Sequence, residues 1–200
     1  VGATIFDGFK RHLNAALIIN NSKVVGIIPE EKVDPKTEQI VLAGGLLTPG
    51  FVDLQVNGGG GVLFNNNPSL ENLKIICEAH AKLGSTSIMP TLISDSPEVN
   101  KRAISAITDA LDQQINGLVG LHLEGPHLAL ERKGAHEERF IRPMKEFDCL
   151  ELESLANKIP KLMLTIAPEA VSPQQITSLS KAGAIISLGH TDCTFHQAAE

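Results

Sequence analysis

Two short stretches end apolar strand patterns in groups that can bind a metal. They are Leu121-His122-Leu123-Glu124-Gly125-Pro126-His127 and Ser187-Leu188-Gly189-His190. In a barrel of parallel strands the C-terminal strand ends meet at one face, and active sites are built there. On that reading Glu124 and His190 become neighbours although they are far apart in sequence. A carboxylate and an imidazole suit zinc or another first-row divalent ion. A carboxylate at the end of an apolar strand must be paired, hydrogen-bonded or metal-bound, because burying it alone is costly. The competing readings are a salt bridge or loop cap for Glu124, and a core or helix-start histidine for His190. His122 precedes Glu124 by two, so a regular strand turns both to one face. A packed barrel-interior residue is the preferred reading of His122; a hydrogen-bonding partner of the ligands is the other.

Further polar groups surround this pattern. Asp53 and Gln55 alternate onto one face of an earlier strand, where many metal hydrolases place a His-x-His pair. Asp53-Leu54-Gln55 stands there instead, which weakens the case for two metals and leaves Gln55 as a polar lining group. Gly58–Gly61 lacks the Lys-Ser/Thr of a phosphate loop and the dinucleotide spacing, and reads as a strand-to-helix turn. His127 and His136 fall in a long polar loop and read as exposed, although loops at that face often touch substrate. His12, His80 and His196 read as structural or surface residues, and Asp192 as a helix cap.

The elements that must position these groups alternate. Residues 1–48 read as short strands: Ala16–Ile19, a turn, Val24–Ile28, then Ile40–Ala43. From Phe51 strand and helix patterns succeed one another. The strands are Phe51–Val56, Ser87–Ile93, Val119–Leu123, Leu162–Ala167 and Ala184–Leu188. Helices are expected over 69–83, from Pro97 to Leu111, near Phe147–Ala156 and from Ser172 to Ala182. Five alternations signify a parallel α/β sheet with both faces covered. An open doubly wound sheet and part of an eight-stranded barrel both fit. A complete barrel needs about 250 residues, and roughly 150 follow residue 50.

The bulk numbers exclude several classes. With 17 Lys plus Arg against 23 Asp plus Glu, the net charge is −6. There is no long basic run, so nucleic-acid binding is not expected. The apolar runs are too short for a bilayer-spanning helix, so no membrane partner is expected. Three scattered cysteines read as buried free thiols, which suits a cytoplasmic setting. With neither Trp nor Tyr, a sugar would have to be held by polar groups.

Six segments taken together carry a resemblance. They are Thr48-Pro49-Gly50-Phe51-Val52-Asp53-Leu54-Gln55-Val56-Asn57-Gly58, Pro90-Thr91-Leu92-Ile93, Gly120-Leu121-His122-Leu123-Glu124-Gly125-Pro126, Lys133-Gly134-Ala135-His136, Ala167-Pro168-Glu169 and Gly189-His190-Thr191. In this order they strongly resemble the N-acetylglucosamine-6-phosphate deacetylase family of the amidohydrolase superfamily. The resemblance implies an α/β fold: the first five units of a (β/α)8 metal-dependent hydrolase barrel over 49–200, and part of a small β-sandwich over 1–48. It implies an amide hydrolase that releases acetate from N-acetylglucosamine 6-phosphate in carbohydrate metabolism, with one divalent ion per subunit, zinc or a similar metal. By motif match, Glu124 and His190 are metal ligands, Gln55 takes the place of the histidines of two-metal members, and Ala135 and His136 contact substrate. The catalytic aspartate, a third ligand histidine and the phosphate-binding groups are expected beyond Glu200, in a longer protein that forms a homodimer. The 200 residues alone are then expected to be inactive. The alternatives are another amidohydrolase, such as a cyclic-amide hydrolase, and a sugar-phosphate-binding protein without catalysis.

Overall fold

The computed structural model describes residues 1–199, in two compact units that divide between Gly50 and Phe51. The first unit contains β1 (Thr4–Phe6), β2 (Arg11–His12), β3 (Ala15–Asn20), β4 (Lys23–Pro29) and β5 (Leu46–Leu47). Strands β3 and β4 form an antiparallel hairpin. Its turn residues Asn21 and Ser22 both have positive φ, 49° and 61°, the handedness that matches strand twist in two-residue hairpins. A three-stranded sheet has the order β2-β1-β5. Ile40–Ala43, expected as a strand, is not a regular one. Leu42 and Gly44 donate to the Val1 and Gly2 carbonyls, but Gly44 and Gly45 both turn to φ 87°. That conformation breaks the extended backbone, and the ladder begins at Leu46.

The second unit contains β6 (Phe51–Val56), the short pair β7 (Gly58–Gly59) and β8 (Val62–Leu63), α1 (Leu70–Lys82), β9 (Ser85–Ile93), α2 (Pro97–Asp112), β10 (Leu121–Glu124), α3 (Glu146–Ala156), β11 (Leu162–Ile166), α4 (Pro173–Lys181), β12 (Ile185–Leu188) and α5 (Phe195–Ala199). Local chemistry sets the helix starts. Ser69, Ser96 and Ser172 cap α1, α2 and α4 by accepting the amides of Asn72, Val99 and Gln175. Pro97 and Pro173 sit in first turns, where a missing N–H costs nothing.

Five strands form one parallel sheet in the order β6-β9-β10-β11-β12. A doubly wound sheet reverses direction at a switch point. This sheet adds every new strand on the same side and curls as a half-barrel, so the architecture is a partial (β/α)8 barrel. Strand alternation then sorts the side chains. Ile88, Leu92, Leu121, Leu123, Leu162, Leu164 and Ile166 join the core beneath the helices. The alternate positions Thr91, His122, Glu124 and Thr165 line the other face, and all four are buried. Register places His122 beside Thr91 and Glu124 beside Thr165.

The long connection from β10 to α3 is tied down at its returning end. Arg142 donates its amide to the Pro126 carbonyl and pairs through both guanidinium nitrogens with Asp148, at 2.6 Å each. Asp148 also accepts the Lys145 amide. The Arg142 guanidinium is the main cause that holds the Asp148 carboxyl at about 2, against burial, which raises it. A depressed carboxyl stabilises the fold above its unfolded pKa, and that contribution fades as pH falls through the folded value. Asp148→Asn should therefore cost about 1–2 kcal/mol near pH 7, allowing for solvent around Arg142. In denaturant melts the gap between wild type and variant should narrow between about pH 4 and pH 2. A gap independent of pH would remove the ion pair from the account.

Candidate metal centre

Glu124 ends β10 with 7% of its surface exposed. His190 follows β12 by one glycine. Gly189 lies so close to β11 that a Cβ there would come within 2.7 Å of Thr165 Cγ2. His190 itself has φ 52°, a strained conformation for a residue with a side chain. The neighbouring loops hold it there. Its carbonyl accepts the Ala129 amide at 3.0 Å. Glu169 accepts the Thr191 hydroxyl at 2.6 Å and the Asp192 amide at 2.7 Å. Arg132 donates through Nε to Asp192 at 2.6 Å. Asp192, expected as a helix cap, is thus a loop clasp; Thr194 caps α5 by accepting the Gln197 amide.

These constraints bring the strand ends together. His190 Nε2 lies 2.8 Å from Glu124 Oε1. Gln55 Nε2 donates to Glu124 Oε2 at 3.1 Å. His136 Nε2 lies 3.9 Å from Glu124 Oε1, and its ring meets the His190 ring edge-on at 4.6 Å between centroids. Ligand atoms of Glu124, His136 and His190 all lie within 4.8 Å of one another. The imidazoles of His136 and His190 hold the Glu124 carboxyl at about 2, although burial pushes it up. The carboxylate is therefore ionised throughout the neutral range.

The two histidines differ in what they offer. His190 Nδ1 lies 2.7 Å from the Arg132 carbonyl, which can only accept, so Nδ1 carries the hydrogen. In the neutral ring Nε2 then turns a lone pair towards the carboxylate. Two acceptors at this distance need a proton or a cation between them. A histidine whose Nδ1–H is fixed by a backbone carbonyl is the usual metal-ligating arrangement. The donor set of Glu124 and His190 therefore fits a divalent ion. At His136 the polarity is reversed. Its Nδ1 accepts the Ser94 amide at 3.2 Å, with the Ser94 hydroxyl at 2.8 Å. The neutral ring then carries its hydrogen on Nε2, as a donor facing the same space.

Sequence reasoning did not place all of these groups. His127 and His136, read as exposed, are each only 2% exposed. The loop folds back so that Ser94 captures His136 and the Arg142 carbonyl captures His127 Nδ1. Burial lowers the pKa of His127. Ala135 stays exposed beside His136. His80 bonds to the Gly58 carbonyl on the α1 side. No sequence motif marks Ser94. His122 is buried and bonded on both nitrogens to Leu54 and Thr165; burial, the largest influence on it, lowers its pKa.

Known proteins converge on one family. An N-acetylglucosamine-6-phosphate deacetylase of Haemophilus influenzae is 37% identical over 202 residues, matching 99% of this chain and 51% of that protein. The crystal structure of the Pasteurella multocida N-acetylglucosamine-6-phosphate deacetylase superposes with a TM-score of 0.92 at 37% identity, over the whole chain and 52% of that one. In sequence and in fold the chain matches about half of an N-acetylglucosamine-6-phosphate deacetylase. An N-acetylgalactosamine-6-phosphate deacetylase of Shewanella is 43% identical over 151 residues, covering 76% of this chain and 38% of that protein. A Mycobacterium smegmatis deacetylase mutant, solved in complex with N-acetyl-D-glucosamine-6-phosphate, superposes at 0.81 with 28% identity, covering 98% of this chain and 50% of that one. No protein-family model matches. The chain spans about half the length of the two relatives that match it almost end to end. Among the described residues no helix is long and apolar enough to cross a membrane.

Metal content is the direct test of this geometry. Glu124→Gln and His190→Ala should each weaken zinc binding at least tenfold, about the scale seen when a metal site loses a supporting group. His136→Ala should change it by less than about threefold, because its Nδ1 is committed to Ser94. Elemental analysis after dialysis against a zinc buffer reads all three. Loss of zinc in His136→Ala would make that ring a ligand.

Proposed function

We propose that this protein takes part in hydrolysing the acetamide of N-acetylglucosamine 6-phosphate, yielding acetate and glucosamine 6-phosphate. The observation that carries the reading is the Glu124–His190 contact at the strand ends, carboxylate to imidazole lone pair, in a chain whose relatives are deacetylases. Glu124 and His190 would hold one divalent ion, zinc or a similar metal. When bound, such an ion supplies Lewis acidity, lowering the pKa of a water and polarising a carbonyl. Gln55 donates to Glu124 Oε2, so Glu124 and His190 would hold a single ion, and a second would be disfavoured.

His136 then acts on the substrate. Its Nε2–H faces the same space and would donate to the acetyl oxygen or a sugar hydroxyl, with Ala135 beside it at the exposed rim. Ser94 holds the ring in that tautomer. Residues 1–48 are assigned to a small β-sandwich and 49–200 to the barrel. A homodimer and a cytoplasmic setting accompany the proposal; the three free cysteines are compatible with the latter. The Shewanella relative favours a second reading, the C4 epimer N-acetylgalactosamine 6-phosphate. Acetate release from both sugar phosphates distinguishes the two.

In that assay, run on a full-length protein carrying this segment, His136→Ala should lower kcat/KM by about a hundredfold, the scale for removing one donor to a developing oxyanion, with metal content kept. Unchanged turnover in this variant would withdraw His136 from the reaction.

A further inference from the structure

Pro90 sits inside β9 and has no N–H to give the neighbouring strand. Next to it the β6–β9 ladder loses its register between Asp53 and Val56. Side chains take over where the backbone lets go. Thr91 Oγ1 accepts the Val56 amide at 3.0 Å. His122 Nδ1 lies 3.0 Å from the Leu54 carbonyl and 3.1 Å from Thr91 Oγ1. A carbonyl only accepts, so His122 Nδ1 carries the hydrogen and Nε2 accepts the Thr165 hydroxyl at 2.7 Å. One imidazole thus ties the end of β6 to β9, β10 and β11. The residue after Leu54 is Gln55, whose carboxamide reaches Glu124.

We propose that His122 is a positioning residue: by fixing the Leu54 carbonyl it sets the Gln55 carboxamide against Glu124 and so decides which carboxylate oxygen faces the ion. This rests on Glu124 and His190 being the metal ligands. The carbonyl of Leu54 falls in the irregular stretch beside Pro90, Gln55 lies on an exposed strand end, and the imidazole supplies a side-chain bond to that carbonyl.

The test uses zinc affinity, measured by chelator competition. Asparagine places its NH2 where His122 Nδ1–H lies and can keep the Leu54 bond. Glutamine reaches the Thr165 side and cannot. His122→Asn should hold zinc within about threefold of wild type. His122→Gln should lose about tenfold, and Gln55→Ala a similar factor. The double variant His122→Gln with Gln55→Ala should be no weaker than the weaker single, since both act through one contact. If His122→Gln does not fold, Thr91→Val, which frees Val56 on the same strand end, enters the same cycle with Gln55→Ala. Wild-type affinity in His122→Gln, or losses that multiply in the double variant, would overturn the inference. A wild-type protein that binds no zinc would instead overturn the ligand assignment, and this inference with it.

Discussion

A buried carboxylate cannot be left alone. Glu124 is ionised and almost fully enclosed at the end of β10, and the surrounding structure is arranged to compensate that charge. Gln55 covers one oxygen with a donor. His190 and His136 face the other. The strain at His190, the clasp between Arg132 and Asp192, and the Glu169 bonds to Thr191 and Asp192 all serve to keep an imidazole nitrogen 2.8 Å from one oxygen. Because His190 Nδ1 is spent on the Arg132 carbonyl, the contact is satisfied only by a proton or a cation. That requirement is what makes Glu124, His136 and His190 a group that could hold a metal ion.

The barrel supplies the geometry for this arrangement. Alternation along β10 sends Leu121 and Leu123 under the helices and His122 and Glu124 to the inner face. Parallel register on both sides places Thr91 and Thr165 beside them. The inner face is therefore polar in a band near the strand ends, and every member of that band has a hydrogen-bond partner. Among the described residues no buried side-chain nitrogen or oxygen lacks one. A band of this kind holds its members in single orientations, which is what a site built from four strands and a loop requires.

Much of this was legible in the sequence, and the reason is local. Strand patterns that end abruptly in Glu124 and Gly189-His190 announce both the barrel face and the paired groups. The two-residue alternation put Asp53 and Gln55 on one face, but only Gln55 reaches Glu124; the register shifts between Asp53 and Val56, and Asp53 lies 4.0 Å from His80 of α1 instead. What escaped were contacts set by long-range folding. A polar loop gives no sign that His136 is drawn under it by Ser94, nor that His127 is covered. The tautomers that separate His136 from His190 depend on a backbone amide and a backbone carbonyl, which sequence does not display. The irregular end of β6 follows from Pro90 in the neighbouring strand, a signal present in the sequence but readable only once the strand order is known. Ile40–Ala43 had the composition of a strand, and the glycines behind it prevented one.

The central claim is that Glu124 and His190 bind an ion together while His136 stands by as a donor. Anomalous scattering at the zinc edge from crystals grown with zinc measures this directly. The account predicts a peak within about 2.0–2.2 Å of both a Glu124 oxygen and His190 Nε2, with His136 Nε2 well beyond that distance and its Nδ1 still on Ser94. A peak coordinated by His136, or one that leaves the Glu124–His190 pair untouched, would contradict it.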